Sequence, residues 1–304
     1  TLTAVDSAIV VIDVAKGVEE QTEKLVKVCR MRKIPILVFI NKMDREGKDG
    51  FDLLDEIETK LGLSVCPLSW PIGMGQRFQG VFNIYDSKLS LFSPHGKQAD
   101  ADVIEISDSD WDGFEKHIGE SATAELKDDL TMVREVYDPF EKEKYLTGEK
   151  SPVFFGSAVN NFGVKEMLDC FVEIAPAPLP RETEERIVVP IEKFFTGFIF
   201  KIHANIDPRH RDRIAFLRIV SGVFEKNTSY KHIRLNKNMK FPNPTSFMAS
   251  KKSVVDLAYP GDIVGLYDSG NFKIGDTLTE GEELTFKGIP SFSPEQFRSI
   301  SNAN

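Results

Sequence analysis

Cysteine, histidine and long apolar runs are scarce in this 304-residue chain, and each shortage excludes something. Cys29, Cys66 and Cys170 are widely spaced and each sits among apolar residues. They read as buried thiols rather than as a disulfide framework or a metal site. The five histidines, His95, His117, His203, His210 and His232, show no ligand spacing, so no metal site is expected. No run of eighteen apolar residues and no signal-peptide pattern occurs. A soluble, cytoplasmic protein with no membrane partner is therefore expected. Nowhere does G-x-x-x-x-G-K precede Ser or Thr, the run that cradles phosphates on backbone amides. Gly73-x-Gly75 with Gly80 is a poor substitute and reads as turn punctuation.

The charge that is present is uneven. The net charge is −9, but residues 190–304 hold 16 Lys and Arg against 12 Asp and Glu, while residues 1–189 hold 22 against 35. A mildly basic C-terminal domain on an acidic partner is compatible with one face meeting nucleic acid.

Hydrophobic patterning gives the outline of the fold. Ser7–Val14 and Ile34–Ile40 are short apolar runs, predicted as strands buried on both faces. Helices are predicted over Val18–Arg32, with Val18, Leu25, Val28 and Cys29 on one face, and over about Phe51–Leu61. This alternation implies a parallel sheet with right-handed crossovers. The rhythm changes near Pro67: residues 69–75 look loop-like, Val81–Leu91 and Asp102–Ile106 look like antiparallel strands, and Asp110–Val136 holds two polar helices. Trp70 and Trp111 in this stretch read as core or anchoring residues. Pro152–Phe155 and Val164–Ile174 then restore the strand–helix pattern. Pro176, Pro178 and Pro180 open a stiff polar linker, and the remainder shows short alternating strands, including Gly197–Ala204, Ile214–Val223 and Asp262–Leu266. That spacing predicts a β-barrel.

The most informative stretch is Asn41-Lys42-Met43-Asp44, delivered by the apolar strand into a loop. The C-terminal end of a buried strand is where open α/β sheets bind ligands. An ionised Asp44 can accept two hydrogen bonds from the adjacent N–H donors of guanine, a pair that adenine lacks. The Lys42 stem can lie flat against the base, and Asn41 can pin the loop. The alternative is an ordinary Asn/Asp loop after a strand, since such a pattern arises by chance in about one chain in thirty of this length.

Gly156-Ser157-Ala158, also after a strand, supplies the second half of a guanine site. NKxD, a strand ending in GSA and a Pro-linked barrel together resemble a translational GTPase. The long insertion between the motifs is similar to elongation factor G and unlike elongation factor Tu. Residues 69–85 (SWPIGMGQRFQGVFNIY), 154–169 (FFGSAVNNFGVKEMLD) and 200–222 (FKIHANIDPRHRDRIAFLRIVSG) closely resemble the bacterial peptide chain release factor three family. AYPGDIVGL (258–266) and IGDTL (274–278) fit the barrel shared by translation factors.

The resemblance implies an α/β GTP-binding domain over residues 1–180 with an α+β insertion at about 67–148. It further implies a β-barrel over 181–290 and the start of a third domain at 291–304. It implies GTP or GDP as ligand, with Mg²⁺ in the whole protein, and the ribosome as partner, with class-one release factors acted on indirectly. The site residues it implies are Asn41, Lys42, Asp44, Ser157, with Ser157 bracing the Asp44 loop, and Ala158, whose N–H meets guanine O6. For the loop Asp207–Arg213 two readings stand: Arg209, Arg211 and Arg213 touch ribosomal RNA phosphates, or they form a solvated hairpin with internal Arg–Asp pairs.

The resemblance also sets expectations about what the chain lacks. Asp44–Gly47 and Asp262–Gly265 match DxxG, but neither follows a strand behind a phosphate loop, so both are decoys. Thr1–Asp6 resembles the helix just after switch II, so the phosphate loop and switches would lie upstream. A fragment is expected that retains base recognition, lacks phosphate handling and hydrolyses no GTP. Its Ser7–Val14 strand is expected to present an unpaired apolar edge, covered by another copy or disordered. A non-catalytic ribosome-binding module and an elongation factor G relative are the competing readings.

Overall fold

Residues 2–93, 103–204, 213–248 and 251–288 are described by the structure, a computed structural model. Two compact units divide the chain between Pro176 and Ala177, four residues ahead of the boundary expected from the sequence.

Asp6–Pro176 form the α/β unit. Its elements run β1 (Ala8–Asp13), α1 (Glu20–Met31), β2 (Ile36–Asn41), α2 (Gly50–Leu61) and β3 (Val65–Pro67). The insertion adds β4 (Ser69–Ile72), β5 (Gly80–Asn83), β6 (Lys88–Leu91) and β7 (Val103–Glu105), then α3 (Trp111–Ile118), α4 (Glu120–Val136) and α5 (Lys142–Leu146). The chain returns through β8 (Ser151–Phe155) to α6 (Val164–Ile174). The parallel sheet has the order β1-β2-β8-β3, and the insertion carries a separate antiparallel sheet, β4-β5-β6-β7.

Local chemistry explains these elements. Every residue of β8, and Ile36–Ile40 of β2, is buried, as a parallel strand covered on both faces requires. Helix α2 starts where Asp49 accepts a hydrogen bond from Phe51 N–H at 2.8 Å, and stops at Gly62, which is left-handed at φ +62. Trp70 anchors the insertion: its ring packs against Phe51 and Phe155, and its indole N–H donates to Asp129 Oδ2 at 2.8 Å. Residues 69–72, expected as loop, are a strand. Gly73 and Gly75 do punctuate the turn that follows, with φ of +71 and +61. Strand β1 is the terminal strand of its sheet, with Val11 55% exposed, and it is a regular strand rather than a disordered segment. The three cysteines are buried and free.

The second unit comprises Thr1–Val5 and Ala177–Asn304. Its strands are β9 (Arg181–Glu182), β10 (Ile187–Val188), β11 (Thr196–Ala204), β12 (Arg213–Ser221), β13 (Phe224–Glu225), β14 (Ser229–His232), β15 (Lys237–Lys240) and β16 (Thr245–Met248). They continue as β17 (Lys251–Val254), β18 (Leu257–Ala258), β19 (Ile263–Tyr267) and β20 (Thr277–Thr279). Eight of them form one antiparallel sheet, β15-β14-β20-β11-β12-β19-β16-β17, that curls around Phe195, Leu217, Phe224, Tyr230, Leu266 and Phe272. This curled sheet is the half-barrel form of the β-barrel that the strand spacing predicts. The N-terminal segment Thr1–Val5 clusters with this unit. Leu2–Ala4 is a short 3-10 turn, and Ala4 packs with Val188, Phe198, Val220 and Phe286 of this unit. The expected start of a third domain, 291–304, lies outside the described residues.

Candidate functional site

The site grows from the C-terminal ends of β1, β2 and β8. Register sets Asp13 level with Asn41, while Ile40 faces Phe155. Each strand therefore releases its chain at one edge of the sheet. Asn41 acts first. Its Oδ1 accepts from its own neighbour's N–H, Lys42, at 2.8 Å, and from Ala158 N–H at 2.8 Å. One amide oxygen thus ties the NKMD loop to the GSA turn. Lys42 adopts the left-handed conformation, φ +71, which costs a residue with a Cβ about 1–2 kcal/mol.

Met43 makes two further ties through its backbone. Its N–H donates to Gly156 O at 3.1 Å, and its carbonyl accepts from Gly75 N–H of the insertion at 2.9 Å. Gly156 has no room for a side chain: a Cβ there would sit 2.4 Å from Phe162 O and 2.8 Å from the Phe39 ring. Gly47 is similarly constrained, because a Cβ would lie 2.7 Å from the Val14 backbone carbonyl. Lys48 N–H donates to that same carbonyl at 3.0 Å and closes the loop onto β1.

The polar atoms then point to a ligand. Asp44 Oδ1 is buried and has no hydrogen-bond partner among the described residues. A buried carboxylate oxygen without a donor is costly, so an N–H-bearing ligand fits it. Lys42 Nζ lies 2.5 Å from Asp13 Oδ2, and this ammonium holds the Asp13 carboxyl below the usual carboxylate range.

Ser157 and Ala158 have partners within the protein. Ser157 is fully buried, but its hydroxyl accepts from Asn160 Nδ2 at 2.8 Å instead of bracing the Asp44 loop. The Gly156 carbonyl and the Asn41 amide make that brace. Ala158 N–H already serves Asn41 Oδ1, so its donor is committed within the protein rather than free for a base oxygen. Asn41 ties Ala158 to the loop that carries Lys42 and Asp44. Asp13, beside Lys42, was not singled out from the sequence. The available signal for Asp13 was a polar residue ending an apolar strand parallel to one that ends in Asn41.

The cationic loop resolves in part. Arg209 and Arg211 lie outside the described residues. Arg213 belongs to the barrel: its Nε is 2.7 Å from Asp268 Oδ2, and its Nη2 donates to Phe272 O at 2.8 Å. It forms an internal Arg–Asp pair, and the partner comes from the end of β19 rather than from its own loop.

Two family models match this sequence. The elongation factor Tu GTP binding domain matches residues 1–177, more than half of the chain, and elongation factor G domain 2 matches residues 194–281.

Proposed function

The chain belongs to the family of the elongation factor Tu GTP-binding domain, and from that membership we propose that it reads guanine nucleotides as part of a translation termination factor. A translational GTPase of this type has guanine nucleotide and the ribosome as partners.

The buried, unpartnered Asp44 Oδ1 carries the guanine reading. Asp44 would accept from the ring N–H and exocyclic amine of guanine. Lys42 offers its stem as a wall, and Asn41 holds the loop that presents both. Asp44→Asn tests this, because an amide can donate to the carbonyl that xanthine carries where guanine has its amine. Losing charge-assisted bonds of about 1.5–3 kcal/mol should weaken guanosine binding roughly ten- to hundred-fold and raise the relative affinity for xanthosine. Equal guanosine binding by both proteins would reject the assignment.

The residues present do not fit the phosphate and Mg²⁺ half of such a site. No phosphate-cradling run occurs in the 304 residues, and no metal-binding group of three His, Cys, Asp or Glu exists among the described ones. We derive no phosphoryl step. The 304-residue chain should leave GTP intact in a single-turnover assay. It should also bind GDP weakly, since two such bonds must offset an association cost of roughly 4–15 kcal/mol. Micromolar affinity by calorimetry would overturn that.

Termination is favoured by the segments at 69–85, 154–169 and 200–222, which resemble the release factor three family. In that reading the whole protein spends GTP, in the cytoplasm, to remove class-one release factors from ribosomes. The match of residues 194–281 to elongation factor G domain 2 favours a second reading, an elongation factor G relative. Ribosome pull-down separates them. Preference for post-termination ribosomes, with loss of the class-one factor, supports termination; preference for ribosomes awaiting translocation supports the second reading.

A further inference from the structure

A guanine-reading loop does not by itself call for a carboxylate at the end of β1, yet Asp13 is fully engaged there. Its Oδ1 accepts from the N–H groups of Ala15 at 2.9 Å and Lys16 at 3.3 Å. Its backbone carbonyl accepts from Gly17 N–H at 2.8 Å, so the turn closes around it. The remaining oxygen, Oδ2, faces Lys42 Nζ at 2.5 Å. The Asp13 side chain is only 17% exposed, against 39% for Lys42.

Lys42 is consequently held at both ends. Asn41 Oδ1 fixes its N–H, the left-handed backbone sets the direction of its Cβ, and Asp13 receives its ammonium. An exposed lysine ordinarily samples many rotamers, and its ammonium is a mobile point charge. Here the four methylenes are stretched between two anchors, and the charge is neutralised outside the loop. What the pair then offers a ligand is apolar stem in the same loop as the unpartnered oxygen of Asp44.

We infer that Asp13 is a positioning residue of the base site: by pinning the Lys42 ammonium, it holds the lysine stem as the flat wall on which a purine base stacks. This rests on the guanine reading given above. Pre-organising a wall before binding saves the ordering cost that a free lysine would incur in the complex. A turn-closing role for Asp13 alone would need only Oδ1. The geometry of Oδ2 separates the two ideas.

Asp13→Asn is the test variant. Its side-chain oxygen can still accept from Ala15 and Lys16, whereas its amide nitrogen turns a donor toward the ammonium. The first measurement needs no ligand: nitrogen-detected spectra of the lysine ammonium groups in the 304-residue chain. Lys42, assigned by its loss in Lys42→Met, should give a slowly exchanging signal that Asp13→Asn abolishes. The second measurement is guanosine and GDP affinity by chemical-shift titration. Asp13→Asn should bind about ten-fold more weakly, the effect of a lost charge-assisted contact. Asp13→Asn with Lys42→Met should bind no more weakly than Lys42→Met alone, because both changes remove one wall.

Additive losses, or an Asp13→Asn protein that retains both the ammonium signal and full affinity, would overturn the proposal. If the unaltered chain binds no guanosine, the guanine reading falls, while the ammonium comparison still decides whether Asp13 holds Lys42. Should Asp13→Asn not fold, Asp13→Ser keeps a turn-closing oxygen but cannot reach the ammonium, and the same two measurements apply.

Discussion

Removing the Asn41 amide should cost stability as well as recognition, and the size of the loss can be worked out. Asn41 Oδ1 accepts two backbone N–H bonds at 2.8 Å, one from Lys42 and one from Ala158, 117 residues away. Each such bond contributes about 0.5–1.5 kcal/mol net, giving about 1–3 kcal/mol for the pair. Ala158 is exposed, so water can take over its N–H, which points to the middle of that range, near 2 kcal/mol. For a domain of 150–250 residues this corresponds to a fall in melting temperature of roughly 4–8 °C. Both tryptophans, Trp70 and Trp111, lie within Asp6–Pro176, so urea unfolding followed by tryptophan fluorescence reports this unit. Asn41→Ala should lower its urea midpoint, and amide exchange should accelerate at Ala158 and at Met43, which donates to Gly156 O at 3.1 Å. Asn160→Ala is the comparison. Among the described residues its side chain donates within the same turn, to Ser157 Oγ, and its removal should cost less than half as much. An Asn41→Ala protein with an unchanged midpoint and unchanged Ala158 protection would refute the bridge.

Other consequences are equally accessible. Burial pushes the His232 imidazole below its ordinary value, against the opposing pull of Asp276 3.0 Å away. The unfolded chain then holds more protons than the folded one just below about pH 6.5, so barrel stability should drop as pH falls through that window. His232→Gln should flatten the dependence in amide exchange of β12, and an unchanged slope would remove His232 as its source. Gly156→Ala should destabilise the α/β unit by about 1–3 kcal/mol, since Phe162 O and the Phe39 ring leave no space; an unchanged urea midpoint would contradict this. Asp268→Asn keeps an acceptor for the Gly270, Asn271 and Phe272 N–H groups but loses the Arg213 charge. With the guanidinium 38% exposed, about 1–2 kcal/mol of barrel stability should go, read by denaturant titration of barrel amides, and no loss would show the pair to be energetically idle.

How much could be read from the sequence follows from where each interaction comes from. Strands β2 and β8 announce themselves because a strand covered on both faces must be apolar throughout. Strand β4 does not, because Ser69, Trp70 and Pro71 look like loop residues. Ser69 is buried there since its hydroxyl accepts from Phe155 N–H at 2.9 Å, a partner 86 residues away. Strand β3, three residues long, is too short to carry any period. The packing of the N-terminal turn is hidden for a related reason, its buried Ala4 meeting residues far along the chain, Val188, Phe198, Val220 and Phe286.

The Asn41–Asp44 loop obeys the same logic. Asn41, Lys42 and Asp44 are legible because their roles are carried by side chains at fixed local spacing. The groups that hold them are not. Gly156 and Gly75 act through backbone atoms, which leave no mark in a sequence beyond the absence of a side chain. Asp13 meets Lys42 only after β1 and β2 are aligned in parallel register, and Arg213 meets Asp268 only after β12 and β19 pair. A motif therefore names the residues that would touch a ligand and stays silent about those that aim them. That silence has a mechanical consequence here. Met43 is clamped between the Gly156 carbonyl and the Gly75 N–H, so the conformation of the Asn41–Asp44 loop depends on the insertion as well as on its own strand. A substitution that shifts the 73–77 turn should reach the proposed base site through that bond, although none of the residues proposed to read the base lies in the insertion.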